Sequence, residues 1–214
     1  MVTRLSLDSL LARAKKDGWA TGHGTVPQVV ADAHRLGLVE VPVRKGDPPV
    51  TKLRPVSKEN ARPNSLSSRY GKGNQPLHTD GAHLIDPPDF VVLLCNGVSD
   101  TPTFLAKPKL HGIDYTAHGV FLVVNGRDSF FSTAWSGTRL RYDPGCMTPC
   151  DARARKAAEQ LKALRKAAHE HSWEEPGLVL VIDNKLTLHA RGQVPEDEDR
   201  VIERVGLRYK VKES

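Results

Sequence analysis

Near the start of the chain Leu7, Leu10, Leu11 and Ala14 recur at i, i+3, i+4 and i+7 with polar residues between them, which predicts a helix with one buried face ending at Asp17-Gly18. A second helix is expected from about 26 to 36, with Thr25 as N-cap and Gly37 beyond its end. "LVEVPV" (38–43) alternates as a strand does, and further strands are expected at 89–95 (DFVVLLC), 120–124, 127–133, 138–143, 178–182 and 203–211. Asn125-Gly126, between two of these runs, is a strong hairpin signal. A longer helix is expected over 151–170, starting at Asp151 and carrying Ala154, Ala158, Leu161, Leu164 and Ala168 on one face. Many short strands with one good helix before the last two predict an antiparallel sandwich or barrel flanked by helices, a mainly β, α+β class.

The length of 214 residues suits one core, so a single domain is expected over 1–214. Within it, 1–43 would hold the N-terminal helices and first strand, 44–72 a basic loop and candidate lid, and 73–214 the core. At 39% hydrophobic and 26% charged residues the composition is that of an ordinary soluble protein. With no bilayer-length apolar run, and with Arg4, Asp8 and Arg13 interrupting the N-terminus, a cytoplasmic protein with no membrane partner is expected. Three cysteines (Cys95, Cys146, Cys150) fit a reduced compartment better than a disulfide framework. Cys146 and Cys150 with His169 and His171 would be the donors of a zinc site, but their C-x3-C spacing is unusual for one.

The net charge of +6 has a location: between Arg44 and Lys72 eight basic residues stand against two acidic ones, so the rest of the chain is balanced. This Pro-, Ser- and Asn-rich segment reads as a solvated loop or as an anion-attracting rim over a site. Clustered Lys and Arg also bring phosphate contacts, and with them nucleic acid, into view. Tyr70 is the segment's one aromatic, however, which provides poorly for stacking on bases.

In "QPLHTDGAHLIDPPDFVVLLC" (75–95), His78 and Asp80 are two residues apart, so on an extended strand both side chains reach one atom on the same face. Imidazole nitrogen plus carboxylate oxygen suits a borderline cation such as Fe(II), and a third ligand from elsewhere would complete a two-histidine, one-carboxylate facial triad. His83 would point away from that shared face, and His23, His34, His111 and His118 have no partner in sequence. Trp135 reads as core or as the wall of a substrate pocket.

The later stretch "PGLVLVIDNKLTLHARGQVPEDEDRVIERVGLRYK" holds Pro176-Gly177 before a buried strand, the turn Asp183-Asn184, then His189, Arg191, Arg200 and Arg204. Together with the H-x-D strand and "RLRYDPGCMTP" (139–149), it resembles the Fe(II)- and 2-oxoglutarate-dependent dioxygenases of the TauD/TfdA type, particularly the clavaminate synthase-like and asparagine-oxygenase-like branch. The resemblance runs from about Ser67 to Tyr209. It implies a double-stranded β-helix (jelly-roll) core, iron held by His78, Asp80 and His189, and Arg200 on the distal carboxylate of 2-oxoglutarate. It places Thr103, with Thr101 as a rival, near the family threonine that also contacts this cosubstrate, and leaves Arg204 to reach the substrate or to support the fold. The implied activity is O2-dependent hydroxylation of an unactivated C–H of a small anionic or zwitterionic metabolite, amino-acid-like or an intermediate of natural-product assembly, with release of succinate and CO2. Desaturation or cyclisation shares that chemistry. The alternative is a non-catalytic small-molecule or nucleic-acid-binding protein on the same fold.

Overall fold

The computed structural model describes residues 6–109, 114–126 and 128–210. The chain opens with α1 (Leu7–Asp17), β1 (Trp19–His23) and α2 (Val26–Arg35). Ser6 Oγ accepts the Ser9 N–H at the start of α1, and Gly18, at φ 104°, closes it by donating to the Ala14 carbonyl at 2.8 Å. At the start of α2 the Thr25 N–H donates to Gln28 Oε1 at 3.0 Å, and Pro27 sits in the first turn. There follow β2 (Leu38–Val41), β3 (Val50–Leu53), α3 (Leu66–Tyr70), β4 (Phe90–Cys95), β5 (Ser99–Ala106), α4 (Asp114–His118), β6 (Phe121–Asn125) and β7 (Asp128–Ser132). Then come β8 (Trp135–Ser136), β9 (Arg139–Leu140), β10 (Met147–Pro149), α5 (Ala152–Ala163) with a 3-10 turn over Leu164–Ala167, β11 (His169–Trp173), β12 (Leu178–Asp183), β13 (Leu188–Arg191) and β14 (Ile202–Tyr209).

Two antiparallel sheets form the centre. The larger runs β1-β12-β4-β14-β2, with β3 also paired to β14; the smaller runs β11-β5-β13 and is widened by a bridge between His78 and His189. Val91, Leu93, Cys95, Leu180, Ile182 and Ile202 of the larger sheet pack against Leu105 and Trp173 of the smaller, which defines the interior face of each. Leu7, Leu10, Leu11 and Ala14 of α1, with Val29 and Ala33 of α2, cover the other face of the larger sheet against Phe90, Val92, Leu94, Val179 and Val181. That is why β4 and β12 are apolar at nearly every position: both of their faces are buried. A third sheet, β10-β6-β7, and α5 pack behind the smaller sheet through Phe121, Val123, Ala154, Ala157, Leu161, Leu188 and Ala190. The arrangement is the mainly β, helix-flanked architecture expected of a double-stranded β-helix core.

Several expectations need correction. The segment 44–72, read as a loop, supplies β3 and α3. The helix expected to reach 170 ends at Ala163 and its 3-10 extension at Ala167, after which β11 begins. Only Arg139–Leu140 of the strand expected at 138–143 is extended into a ladder, and β1, β5, β8, β10, β11 and β13 fall outside every expected strand. The Asn125-Gly126 hairpin is present, with Gly126 at φ 64° and Asn125 opposite Asp128; Arg127 lies outside the described residues, as does His111. Among the described residues, no helix is long and apolar enough to cross a membrane.

Candidate metal centre

His78, Thr79 and Asp80 are consecutive, and each is tied to a different part of the chain. His78 exchanges backbone hydrogen bonds with His189, 2.9 Å in both directions. The Thr79 N–H donates to the Tyr142 carbonyl at 2.7 Å, while the Tyr142 N–H donates to Thr79 Oγ1 at 3.1 Å. Asp80 is gripped by Asn184: its N–H donates to Asn184 Oδ1, and Asn184 Nδ2 donates back to its carbonyl, both at 2.9 Å. Asn184 Nδ2 also donates to the Pro88 carbonyl at 3.0 Å, and the side chain is almost wholly buried. Thus the H-x-D tripeptide is not a regular strand as expected: it leaves the His78 bridge and turns at Asp80. Gly81, at φ 70°, makes the turn. The guanidinium of Arg141 closes it by donating to the Ala82 and Ile85 carbonyls at 2.6 and 2.9 Å.

The three side chains expected as ligands converge. Nε2 of His78 lies 3.8 Å from Asp80 Oδ1 and Nε2 of His189 lies 3.8 Å from Asp80 Oδ2; the three candidate donor atoms are all within 4.8 Å of one another, and all three residues are buried. His78 Nδ1 is 3.0 Å from the Pro76 carbonyl, which can only accept, so Nδ1 carries the proton and Nε2 keeps its lone pair toward the cluster. Asp80 Oδ2 is buried and has no hydrogen-bond partner among the described residues. A carboxylate with one orphaned oxygen, flanked by an imidazole nitrogen on each of its oxygens, is the donor set of a divalent cation, and the residues fit one.

Charge on the cluster is set by Arg204. Its Nη1 donates to Asp80 Oδ1 at 3.1 Å and its Nε to Thr51 Oγ1 at 3.3 Å, so β3 within the basic segment steadies the arginine from the opposite side. Burial pushes the Asp80 carboxyl up, but Arg204 and the two imidazoles together hold it below its ordinary range. Burial, reinforced by His78, pushes the His189 imidazole down to about 3. The cluster therefore holds Asp80 toward its carboxylate form and His189 toward its neutral form, the forms in which each ligates a metal.

The residues expected to meet the cosubstrate are outside the three-donor cluster, on β5 and just before β14. Thr103 is two residues from Leu105 on β5, hence on the same interior face, and lies between His171 and Arg191 of the flanking strands. Its hydroxyl accepts the indole N–H of the fully buried Trp173 at 3.1 Å, which leaves the hydroxyl proton to donate elsewhere. The Thr101 hydroxyl, by contrast, is engaged by Glu198. Arg200 Nη1 donates to the Thr101 carbonyl at 2.8 Å and Ser99 Oγ at 3.4 Å, both neutral oxygens. Arg191 is bound up with backbone: Nη2 donates to the Gly71 and Gly73 carbonyls, the latter at 2.9 Å. Burial, with Arg200 next in effect, pushes its guanidinium down to about 10.

Other candidates lie elsewhere. His23 and His34 pair with Glu175 and Glu40, His118 is exposed, and half-buried His83 is outside the three-donor cluster. Half-buried Trp135 packs against the cluster formed by α5 and the third sheet. Cys146 and Cys150 are free and His169 stacks on Trp19, so no zinc cluster forms among the described residues. Asn184, Thr51, Trp173 and Glu198 were missed by sequence reasoning. The first lies in the quoted Asp183-Asn184 turn, and the spacing of Glu198 from Arg200 was the one local sign of the last.

Solved structures share this architecture. An asparagine oxygenase in complex with Fe(II), 2S,3S-3-hydroxyasparagine and succinate superposes with a TM-score of 0.70 at 19% identity, over 94% of this chain and 78% of that one. The non-heme iron oxygenase OrfP, bound to Fe, succinate and (3S)-hydroxy-L-Arg, gives 0.71 at 17% identity, over 94% and 78%. This chain has their fold. PvcB, an Fe, alpha-ketoglutarate-dependent oxygenase from an isonitrile synthetic pathway, gives 0.65 at 17% identity, over 94% and 80%. No family model matches the sequence, and no curated protein matches it significantly.

Proposed function

We propose that this chain is an Fe(II)- and 2-oxoglutarate-dependent oxygenase that hydroxylates an unactivated C–H of a small zwitterionic or anionic, amino-acid-like metabolite. The observation that carries the reading is the buried, unpartnered Asp80 Oδ2 facing Nε2 of His189, with His78 Nε2 beside the same carboxylate. Hydroxylated amino acids occupy two of the similar structures, which supports the substrate class.

His78, Asp80 and His189 would hold the iron, and the Pro76 carbonyl and Asn184 fix how two of those ligands present themselves. When bound, Fe(II) with 2-oxoglutarate and O2 supplies the oxidising chemistry, the cosubstrate leaving as succinate and CO2. Arg200 offers a half-buried guanidinium whose hydrogen bonds are to neutral oxygens, and Thr103 a hydroxyl proton aimed by Trp173; together they suit a distal carboxylate. Arg204 acts on Asp80 as a positioning residue, since its Nη1 and Nε are both engaged by protein oxygens. The walls contributed by Leu93, Leu105, Ile182 and Ile202 keep bulk water from the interior.

Adding Fe(II) and 2-oxoglutarate to metal-free protein without oxygen should give the weak visible charge-transfer band of a chelated iron–keto-acid complex, lost in His189→Ala. A folded wild type that gives no band would refute the reading.

A further inference from the structure

The connection from β13 to β14 carries an acid that the chemistry above does not use. Glu198, half-buried, lays its carboxylate along β5: Ser99 Oγ donates to Oε1, and Thr101 Oγ1 donates to Oε2 at 2.5 Å. Thr101 is completely buried, so its hydroxyl has no water to turn to. Arg200, two residues after Glu198, reaches the same place, donating to Ser99 Oγ and the Thr101 carbonyl. Two hydroxyls thus seat the chain's own carboxylate beside the guanidinium that the reading above gives to the distal carboxylate of the cosubstrate.

The surroundings let that carboxylate leave. Residues 195–197 and 199 are exposed. Beyond one turn bond from the Glu198 N–H to the Pro195 carbonyl at 3.3 Å, their ties run through two side chains: Lys72 Nζ donates to the Glu196 carbonyl at 2.5 Å and lies 3.6 Å from its carboxylate, and Arg54 pairs with Asp199 at the surface, a contact of little strength. The ends of the segment are held separately, by Gly192 N–H on the Pro102 carbonyl and by the pairing of β14, so Glu198 can swing out while Arg200 stays.

We propose that Glu198 is a built-in competitor for the distal carboxylate of 2-oxoglutarate, and that displacing it from Ser99 and Thr101 sets the affinity for the cosubstrate. The inference rests on the oxygenase reading. Arg200, whose hydrogen bonds are to neutral oxygens, has no second carboxylate on it among the described residues; two carboxylates placed beside it repel, so the cosubstrate binds when Glu198 is out. If the acid is seated about 90% of the time, apparent affinity falls about tenfold.

Calorimetric titration of 2-oxoglutarate into the full chain loaded with Mn(II) in place of iron, without oxygen, tests this in wild type, Glu198→Gln and Glu198→Ala. Both variants are expected to bind about tenfold more tightly than wild type. Hydrogen exchange across 195–199 in the wild type is expected to speed up when 2-oxoglutarate saturates it. Equal or weaker binding by the variants, with measurable wild-type binding, overturns the role of Glu198 and leaves the oxygenase reading standing, as does exchange that slows or stays unchanged. No 2-oxoglutarate binding in any of the three, with Mn(II) bound, overturns both.

Discussion

Replacing Asn184 by alanine removes three buried hydrogen bonds at once: one from the Asp80 N–H, one to the Asp80 carbonyl and one to the Pro88 carbonyl. At about 1 kcal/mol net for each, the loss is about 3 kcal/mol. A chain of this size loses roughly 2–4 °C of Tm per kcal/mol, so calorimetry should find Tm lower by about 6–12 °C. The metal effect is separable from the stability effect. Asn184 is no ligand, yet it fixes the backbone from which Asp80 projects, and loss of such support weakens metal binding by about 10–100-fold. Anaerobic titration with Mn(II), at a temperature where the variant is folded, reads this directly. If Tm stays within about 2 °C of wild type and metal affinity is unchanged, Asn184 does not hold Asp80 in place and the account of the site's rigidity is wrong.

Trp173→Phe deletes the indole N–H that Thr103 accepts while keeping a large ring in the interior. One neutral hydrogen bond is about 1 kcal/mol, so the KM for 2-oxoglutarate should rise about fivefold with kcat nearly unchanged; a lower kcat at constant KM would show that Thr103 is not a cosubstrate contact. Burial pushes the His171 imidazole down to about 4, below its unfolded value near 6.5, so between these pH values the unfolded chain binds the extra proton. Stability should therefore be full above about pH 6.5 and fall by up to roughly 3 kcal/mol as pH drops toward 4. Urea titrations should show a shallower fall for His171→Phe, and an unaltered slope would mean that His171 is not the group responsible.

Helices α1 and α2 were legible because one face of each meets the larger sheet and their ends carry ordinary caps; β4 and β12 were legible because both of their faces are apolar. Strand β5 was not. Its interior positions 99, 101 and 103 are Ser, Thr and Thr, so hydrophobic alternation is absent. Its Pro102 argues against a central strand, yet it sits where the ladder to β11 shifts register and the pairing with β13 has not begun. Strand β11 was absorbed into the preceding helix because Ala168 continues the helical spacing, while "HEHSW" has no strand-like alternation of its own. The convergence of His78 and Asp80 was readable from their spacing, and that of His189 with them from the resemblance in residue order. The grip of Asn184 on Asp80 and of Trp173 on Thr103 was not, since their partners are 104 and 70 positions away and nothing local marks them.

The anchoring of 78–80 to three distant segments also bears on when the site comes into being as the protein folds. Asp80 waits for Asn184, 104 positions on, and for Arg204, 124 positions on, while His78 takes its backbone partner from His189. Closing loops of that length has to precede any reward from the contacts they make. Metal affinity should accordingly emerge late and in one step, with the docking of β13 and β14, rather than growing as the sheets assemble. A chain with β1, β12 and β4 paired but β13 and β14 undocked would carry His78 and Asp80 without His189 or Arg204, and almost none of the affinity.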